Sequence, residues 1–176
     1  MLGPVGLRQL APALAALLVA VAGCSEEDFG RGGATATSAR VPPDAARATL
    51  TEHTDGDTFY LSGIGKVRLI GIDTPEVFGE RECFGREASR FVERRVPVGA
   101  RVRYRLGVEE RDRYGRALAY VWLRDGRFLN RALVAQGFAQ PLTVPPNVEY
   151  EDMFVRAVRR AREAGRGLWG RPGCAG

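Results

Sequence analysis

The chain has 176 residues, a formal net charge of +5 and a pI of about 9.6. That length holds one ordinary domain plus a targeting segment and excludes two sizeable cores, since a domain usually takes about 100 to 150 residues. The basic balance favours a polyanionic partner through long-range attraction, and the lack of any Cys-x-x-Cys pair excludes the usual dithiol redox and metal patterns. Lys66 is the only lysine, so nearly all the positive charge is arginine. Its planar fork grips phosphate in a bidentate way, although a GC-rich genome would produce the same bias.

Arg8 gives a weakly basic start, and residues 10–22 form an apolar run of signal-peptide length, too short to cross a bilayer. Val21-Ala22-Gly23-Cys24 closes it and resembles the bacterial lipoprotein box. Residues 1–23 therefore read as a signal peptide, and Cys24 as the acylated first residue of an exported protein anchored in a membrane on its extracytoplasmic side. Ala20-Val21-Ala22 also fits an ordinary signal-peptidase site, which would leave the protein secreted. Acylation of Cys24 leaves an even pair, Cys83 and Cys174, expected to form a disulfide in an oxidising compartment; two buried free thiols are the alternative. Residues 24–45 are rich in Gly, Ala, Ser, Thr and Pro without apolar periodicity and read as a flexible tether.

The folded part is expected over residues 46–176. Residues 48–53, 58–61 and 66–72 carry β-branched or aromatic side chains between Asp-Gly and Ser-Gly-Ile-Gly turn signals and predict three strands. Residues 83–95 predict a helix stopped by Pro97 and Gly99. Residues 101–106 and 117–123 predict two more strands. Residues 128–136 place Phe128, Leu129, Ala132 and Leu133 at helical spacing, with Gly137 as a C-terminal cap. Tyr150, Met153, Phe154, Ala157, Val158 and Ala161 recur at three- and four-residue steps and mark a last helix. The class is α+β, and the order is compatible with a five-stranded OB-type Greek-key β-barrel.

Three carboxylates and two arginines carry the chemistry: Asp57, Asp73 and Glu76, with Arg68 and Arg116. Singly, each has an ordinary reading. Asp55-Gly56-Asp57 suits a turn, Thr74-Pro75-Glu76 suits a helix start, and Arg116 suits an exposed hairpin. Pairing the second and third strands is expected to set Asp57 and Asp73 side by side. Carboxylates about 5 Å apart repel by about 3 kcal/mol at an effective dielectric near 20, so the cluster calls for a cation or raised pKa values. Two carboxylates and a backbone carbonyl, that of Thr74, would hold Ca²⁺ weakly and leave positions for water and phosphate. His53, the only histidine, is expected to be structural, and Trp169 to pack the last helix onto the barrel.

Asp57-Thr58, the run from Arg68 to Glu76, Asp112-Arg113-Tyr114-Gly115-Arg116-Ala117-Leu118-Ala119-Tyr120 and Asn130-Arg131-Ala132-Leu133-Val134-Ala135-Gln136-Gly137 together resemble the staphylococcal nuclease (thermonuclease) family. A monomer without an obligate protein partner is expected, and the resemblance implies an OB-type barrel with three helices. It also implies Ca²⁺-dependent cleavage of DNA and RNA to 3′-phosphate ends. It assigns Asp57, Asp73 and Thr74 to the cation, Glu76 to the attacking water, Arg68 and Arg116 to catalysis, and Arg113 and Tyr114 to substrate. Two departures stand out. Residues 77–84 are shorter than the family's basic loop and carry Cys83, and Leu142 and Val144 replace tyrosines that stack on nucleotide. The competing function, a non-enzymatic nucleic-acid-binding module of the same fold, would be marked by missing acids or arginines, and none of the five is missing.

Overall fold

Strand β1 (Ala46–His53) runs antiparallel to β2 (Thr58–Leu61), and β2 to β3 (Gly65–Leu69), in a computed structural model that describes residues 40–77 and 83–170. The signal peptide, Cys24, most of the tether, residues 78–82 and Cys174 lie outside the described residues. Strand β5 (Arg101–Arg111) pairs antiparallel with β1 and with β6 (Ala117–Trp122), and β6 lies parallel to β3. The closed order β1-β2-β3-β6-β5, with three α-helices, is the expected α+β OB-type barrel.

Alternation explains the barrel's interior. Val67 and Leu69 on β3, Leu50 on β1, Phe59 and Leu61 on β2 and Val121 on β6 are essentially inaccessible to solvent. Each such side chain contributes about 1.5 to 3 kcal/mol when buried. Arg68 falls between two inward residues and so faces the other way, toward the rim where the acids lie.

Helix α1 (Gly85–Arg95) buries Ala88, Phe91 and Val92 at helical spacing. It starts two residues later than the sequence suggests, because Cys83 and Phe84 form a turn in which Phe84 takes φ 74°. Helix α2 (Leu129–Ala135) and helix α3 (Glu151–Glu163) cover one end of the barrel, with Trp122, Phe128, Tyr150 and Phe154 in mutual ring contact. Trp169, in a single 3₁₀ turn (Gly167–Gly170), packs on the core with the Arg162 guanidinium 4.2 Å from its ring centroid. His53 has no hydrogen-bond partner on either ring nitrogen among the described residues and lines neither of the site cavities described below.

The strand expected over residues 66–72 is two strands. Strand β3 ends at Leu69, and β4 (Gly71–Asp73) leaves the barrel to pair with β7 (Gln140–Leu142), a strand the sequence reading did not anticipate. The break lies at Gly71, where φ is +78° and a Cβ would collide with the ring of Phe154. Asn130 ties this junction to the barrel. Its Nδ2 donates to the Ile70 carbonyl at 2.9 Å and its Oδ1 accepts from the Val121 N–H at 3.0 Å, with the whole side chain buried.

Candidate active site

The approach to β2 is built by one aspartate and armed by another. Asp55 Oδ1 accepts from the N–H groups of Asp57 at 3.0 Å and Thr58 at 2.7 Å, which fixes the turn and frees the Asp57 side chain for other work. Burial first, and then the charge of Asp57, pushes the Asp55 carboxyl from its ordinary 3.8 up to about 6.

Asp57 is 5 % exposed. Its Oδ2 accepts from the Thr74 N–H at 2.9 Å and the Thr74 hydroxyl at 2.9 Å, and lies 2.7 Å from Arg68 Nη1. Its Oδ1 accepts from the Thr58 hydroxyl at 3.0 Å. Thr74 therefore meets Asp57 through its N–H and hydroxyl, and the carbonyl expected to act as a ligand takes no part in those bonds.

The two aspartates are not partners across β2 and β3. In that ladder Thr58 faces Arg68, and the Asp57 carbonyl accepts from the Leu69 N–H at 2.9 Å, whereas Asp73 lies beyond the Gly71 break and pairs with Gln140. Arg68 joins them instead. Its Nη2 donates to Asp73 Oδ1 at 2.6 Å while Nη1 holds Asp57 and donates to the Ile72 carbonyl at 3.0 Å. The guanidinium does not reach outward to solvent, since its side chain is 14 % exposed.

Arg116 arrives from the β5–β6 hairpin. Asp112 shapes that turn, accepting at Oδ1 from the N–H groups of Tyr114 at 2.9 Å and Arg116 at 3.0 Å, and at Oδ2 from Arg116 Nε at 2.7 Å. Burial works to raise the Asp112 carboxyl, but the Arg116 side chain and these N–H donors outweigh it and hold it below the ordinary range. Arg113 and Tyr114 lie at the hairpin tip, joined by an Nη2 to hydroxyl bond of 2.6 Å, with Tyr114 widely exposed. Arg113 and Arg116 both lie over the Tyr114 ring, at 4.8 and 5.6 Å from its centroid.

Glu76 is exposed on the segment that follows β4. Its backbone is backed by Gly85, the first residue of α1, where a Cβ would strike the Pro75 and Glu76 carbonyls. Asp55, Asp57, Asp73, Thr74, Glu76, Arg68 and Arg116 line one cavity of about 50 Å³. That volume suits an ion with a few waters, or phosphate oxygens. A second cavity of about 390 Å³ shares Arg68 and Arg116 and is walled by Ile70, Arg113, Tyr114, Leu118, Leu142 and Val144, a size that accepts a nucleotide. All eight residues assigned from the sequence to cation, catalysis and substrate line one or both of these adjoining cavities.

No three His, Cys, Asp or Glu side chains form a metal cage among the described residues. The donors present are a sparse all-oxygen set in a net negative cleft, which fits a hard cation that keeps several waters and does not fit a thiolate- or imidazole-bound metal. Cation binding here would draw on oxygens that Arg68 now holds.

The sequence marks Asp55 only as a turn residue and gives Asp112 and Asn130 no role of their own, yet all three support the site. Asp55 and Asp112 each stand two residues before a key side chain or hairpin tip, where an Asx turn is an available signal. Asn130, inside a helix, carries no such local mark.

Comparison with known proteins shows which family the chain resembles. The family described as staphylococcal nuclease homologue matches residues 66–171. The thermonuclease of Staphylococcus hyicus is 36 % identical over 121 residues, covering 65 % of this chain and 70 % of its own. That of Staphylococcus intermedius is 37 % identical over 123 residues, covering 66 % and 72 %. Endonuclease YncB of Bacillus subtilis (strain 168) is 33 % identical over 133 residues, covering 71 % and 62 %.

Proposed function

Because the chain belongs to the staphylococcal nuclease family and is a nuclease, we propose that it is a Ca²⁺-dependent endonuclease hydrolysing DNA and RNA to 3′-phosphate products. The observation that carries the reading is Arg68 bridging Asp57 and Asp73 at a cavity also lined by Glu76 and Arg116. Acids that would hold a cation and guanidiniums that would meet phosphate share one wall.

Asp57, Asp73 and the Thr74 carbonyl would hold the Ca²⁺, which supplies positive charge for the phosphate oxygens. Glu76, exposed at the cavity rim, accepts a proton from water, whose oxygen attacks phosphorus in line. Arg68 and Arg116 donate to the oxygens on which charge builds. Asp112 keeps the Arg116 fork aimed. The bond from phosphorus to the 5′ oxygen breaks, that oxygen leaves as a hydroxyl after taking a proton, and the water oxygen stays on the 3′-phosphate. The base and sugar fit the larger cavity, against Tyr114, Leu142 and Val144. Without further aromatic rings there, stacking is weaker than the 1 to 3 kcal/mol per base an aromatic platform gives.

Cleaving an end-labelled oligonucleotide in ¹⁸O-water tests the chemistry. One ¹⁸O atom in each new 3′-phosphate is expected; label at the 5′ end, or none, contradicts it.

For location, the sequence supports an exported protein: a signal peptide over residues 1–23, a lipid on Cys24 that holds it in a membrane, and a tether over residues 24–45 leading to the domain of residues 46–176. Cys83 is disulfide-bonded, which suits an oxidising compartment, and we take Cys174 as its partner. The domain is read as a monomer with no obligate protein partner. A Cys24→Ala chain that stays membrane-bound would count against the anchor.

A further inference from the structure

At the end of the barrel remote from the catalytic cleft, a hollow of about 610 Å³ is lined by Arg47, Arg95, Arg101, Arg103 and Arg124, and no carboxylate lines it. Arg103 spends its fork on the Ala45 carbonyl, at 2.9 and 2.7 Å, and so builds the wall. Arg47, Arg95, Arg101 and Arg124 are exposed, and none forms an ion pair among the described residues. Elsewhere on the same surface Arg105, Arg127, Arg156 and Arg159 each have an acidic partner. The carbonyl bond leaves the charge of Arg103 in place, so five unneutralised guanidiniums around one concavity repel one another, and an anion entering it removes that repulsion.

We propose that this hollow is a second phosphate-backbone site, which holds a distant stretch of the same DNA or RNA strand whose scissile bond lies in the catalytic cleft. The inference rests on the nuclease reading above. Its geometry follows from β6: Arg116 precedes the first residue of that strand, and Arg124 follows its last by two. Six residues at about 3.3 Å each separate the two ends by about 20 Å. A strand rising about 3.4 Å per nucleotide crosses that distance in about six nucleotides, and needs more to follow the barrel wall. A trinucleotide can occupy the cleft alone, whereas a 30-mer can occupy both places. A concave site suits a chain laid into it better than a flat anionic bilayer, which would touch only the rim. Planar forks around an apolar floor of Val96 and Leu123 match successive phosphates.

The test compares the full chain with its R101Q/R124Q and R101K/R124K variants, after thermal melts confirm that all three fold. Fluorescence anisotropy reads binding of a 30-mer and a trinucleotide between 50 and 200 mM salt, and cleavage of both is measured with Ca²⁺. For the glutamine pair, 30-mer affinity and kcat/KM should fall about tenfold and the slope of log affinity against log salt should drop by about 1.4, at about 0.7 per lost contact. Trinucleotide cleavage should be unchanged, and the lysine pair should keep most of the slope. Unchanged 30-mer binding, or equal losses on both substrates, overturns the proposal. So does unchanged 30-mer binding with lost binding to phosphatidylglycerol vesicles, which would assign the face to a membrane. If the unaltered chain binds the 30-mer but cleaves neither substrate, the nuclease reading fails while the anisotropy arm still decides on the hollow.

Discussion

Arg68 spans Asp57 and Asp73, with one guanidinium nitrogen 2.7 Å from Asp57 Oδ2 and the other 2.6 Å from Asp73 Oδ1. One fork thus spans a buried acid just before β2 and an exposed acid on β4, and in the proposed mechanism it is the group that must yield oxygens to a cation and turn to substrate.

Arg68→Gln is expected to cost about 10²- to 10³-fold in kcat, the range for losing one preorganised donor to the transition state. It also strands Asp57 in a buried place, which should destabilise the calcium-free protein by about 3 kcal/mol. Calcium should restore more stability to this variant than to the original chain, since Arg68 no longer competes for the oxygens. Urea unfolding with and without calcium reads the effect, and identical calcium shifts for the two proteins would sink the idea.

Asp112 is expected to act through Arg116. In Asp112→Ala the Tyr114 and Arg116 N–H groups lose their shared acceptor and the Arg116 Nε loses its partner. We expect kcat to fall about 10- to 100-fold, less than for losing a transition-state donor outright. KM should move by less than about threefold, on the reasoning that ground-state binding is the smaller loss. A variant whose KM rises while kcat stays put would assign Asp112 to substrate binding.

Asn130 holds the junction between β3 and β4 to β6, and so sets Arg68 relative to Arg116. Asn130→Leu leaves the Val121 N–H and the Ile70 carbonyl buried without this partner. A loss of about 2 to 6 kcal/mol in denaturant unfolding is expected, at about 1 to 3 kcal/mol for each of the two orphaned groups. A loss below 1 kcal/mol would show that the amide is not a structural tie.

Asp55 gives a pH dependence with a definite sign. Its folded carboxyl titrates near 6 against an ordinary 3.8, so the folded state binds that proton more tightly than the unfolded state does. The contribution to stability is full below about 4 and is lost as pH rises through about 6. Asp55→Asn keeps an Oδ1 acceptor for the Asp57 and Thr58 N–H groups but cannot ionise. In chelator, the variant should gain stability relative to the original chain as pH rises from 4 to 7. A stability difference that stays flat over that range would contradict the shift.

Much of this architecture was legible because the relevant signals are local. Alternation in β2 and β3, the helical spacing from Tyr150 to Ala161 and the Asp-Gly turns all act within a few residues. The split at Gly71 was not legible, because its cause is Phe154, over eighty positions away, pressed against the glycine. Strand β7 was missed for a related reason. Three residues including Pro141 carry no strand pattern of their own and pair only because β4 swings out to meet them. The candidate catalytic side chains stood out as types, yet what joins Asp57 to Asp73 is the reach of Arg68, a tertiary fact. The holders, Asp55, Asp112 and Asn130, show their roles only once their bonds are seen.

The central claim is that one cleft combines a cation-dependent site with a carboxylate that activates water. It is tested most directly by single-turnover cleavage of a defined oligonucleotide across a calcium titration, comparing the unaltered chain with Glu76→Gln. The account predicts cleavage that rises with calcium up to the millimolar range, vanishes in excess chelator, and is slower by about 10²-fold or more in the variant. Full cleavage in chelator, or a Glu76→Gln rate equal to that of the original chain, would contradict it.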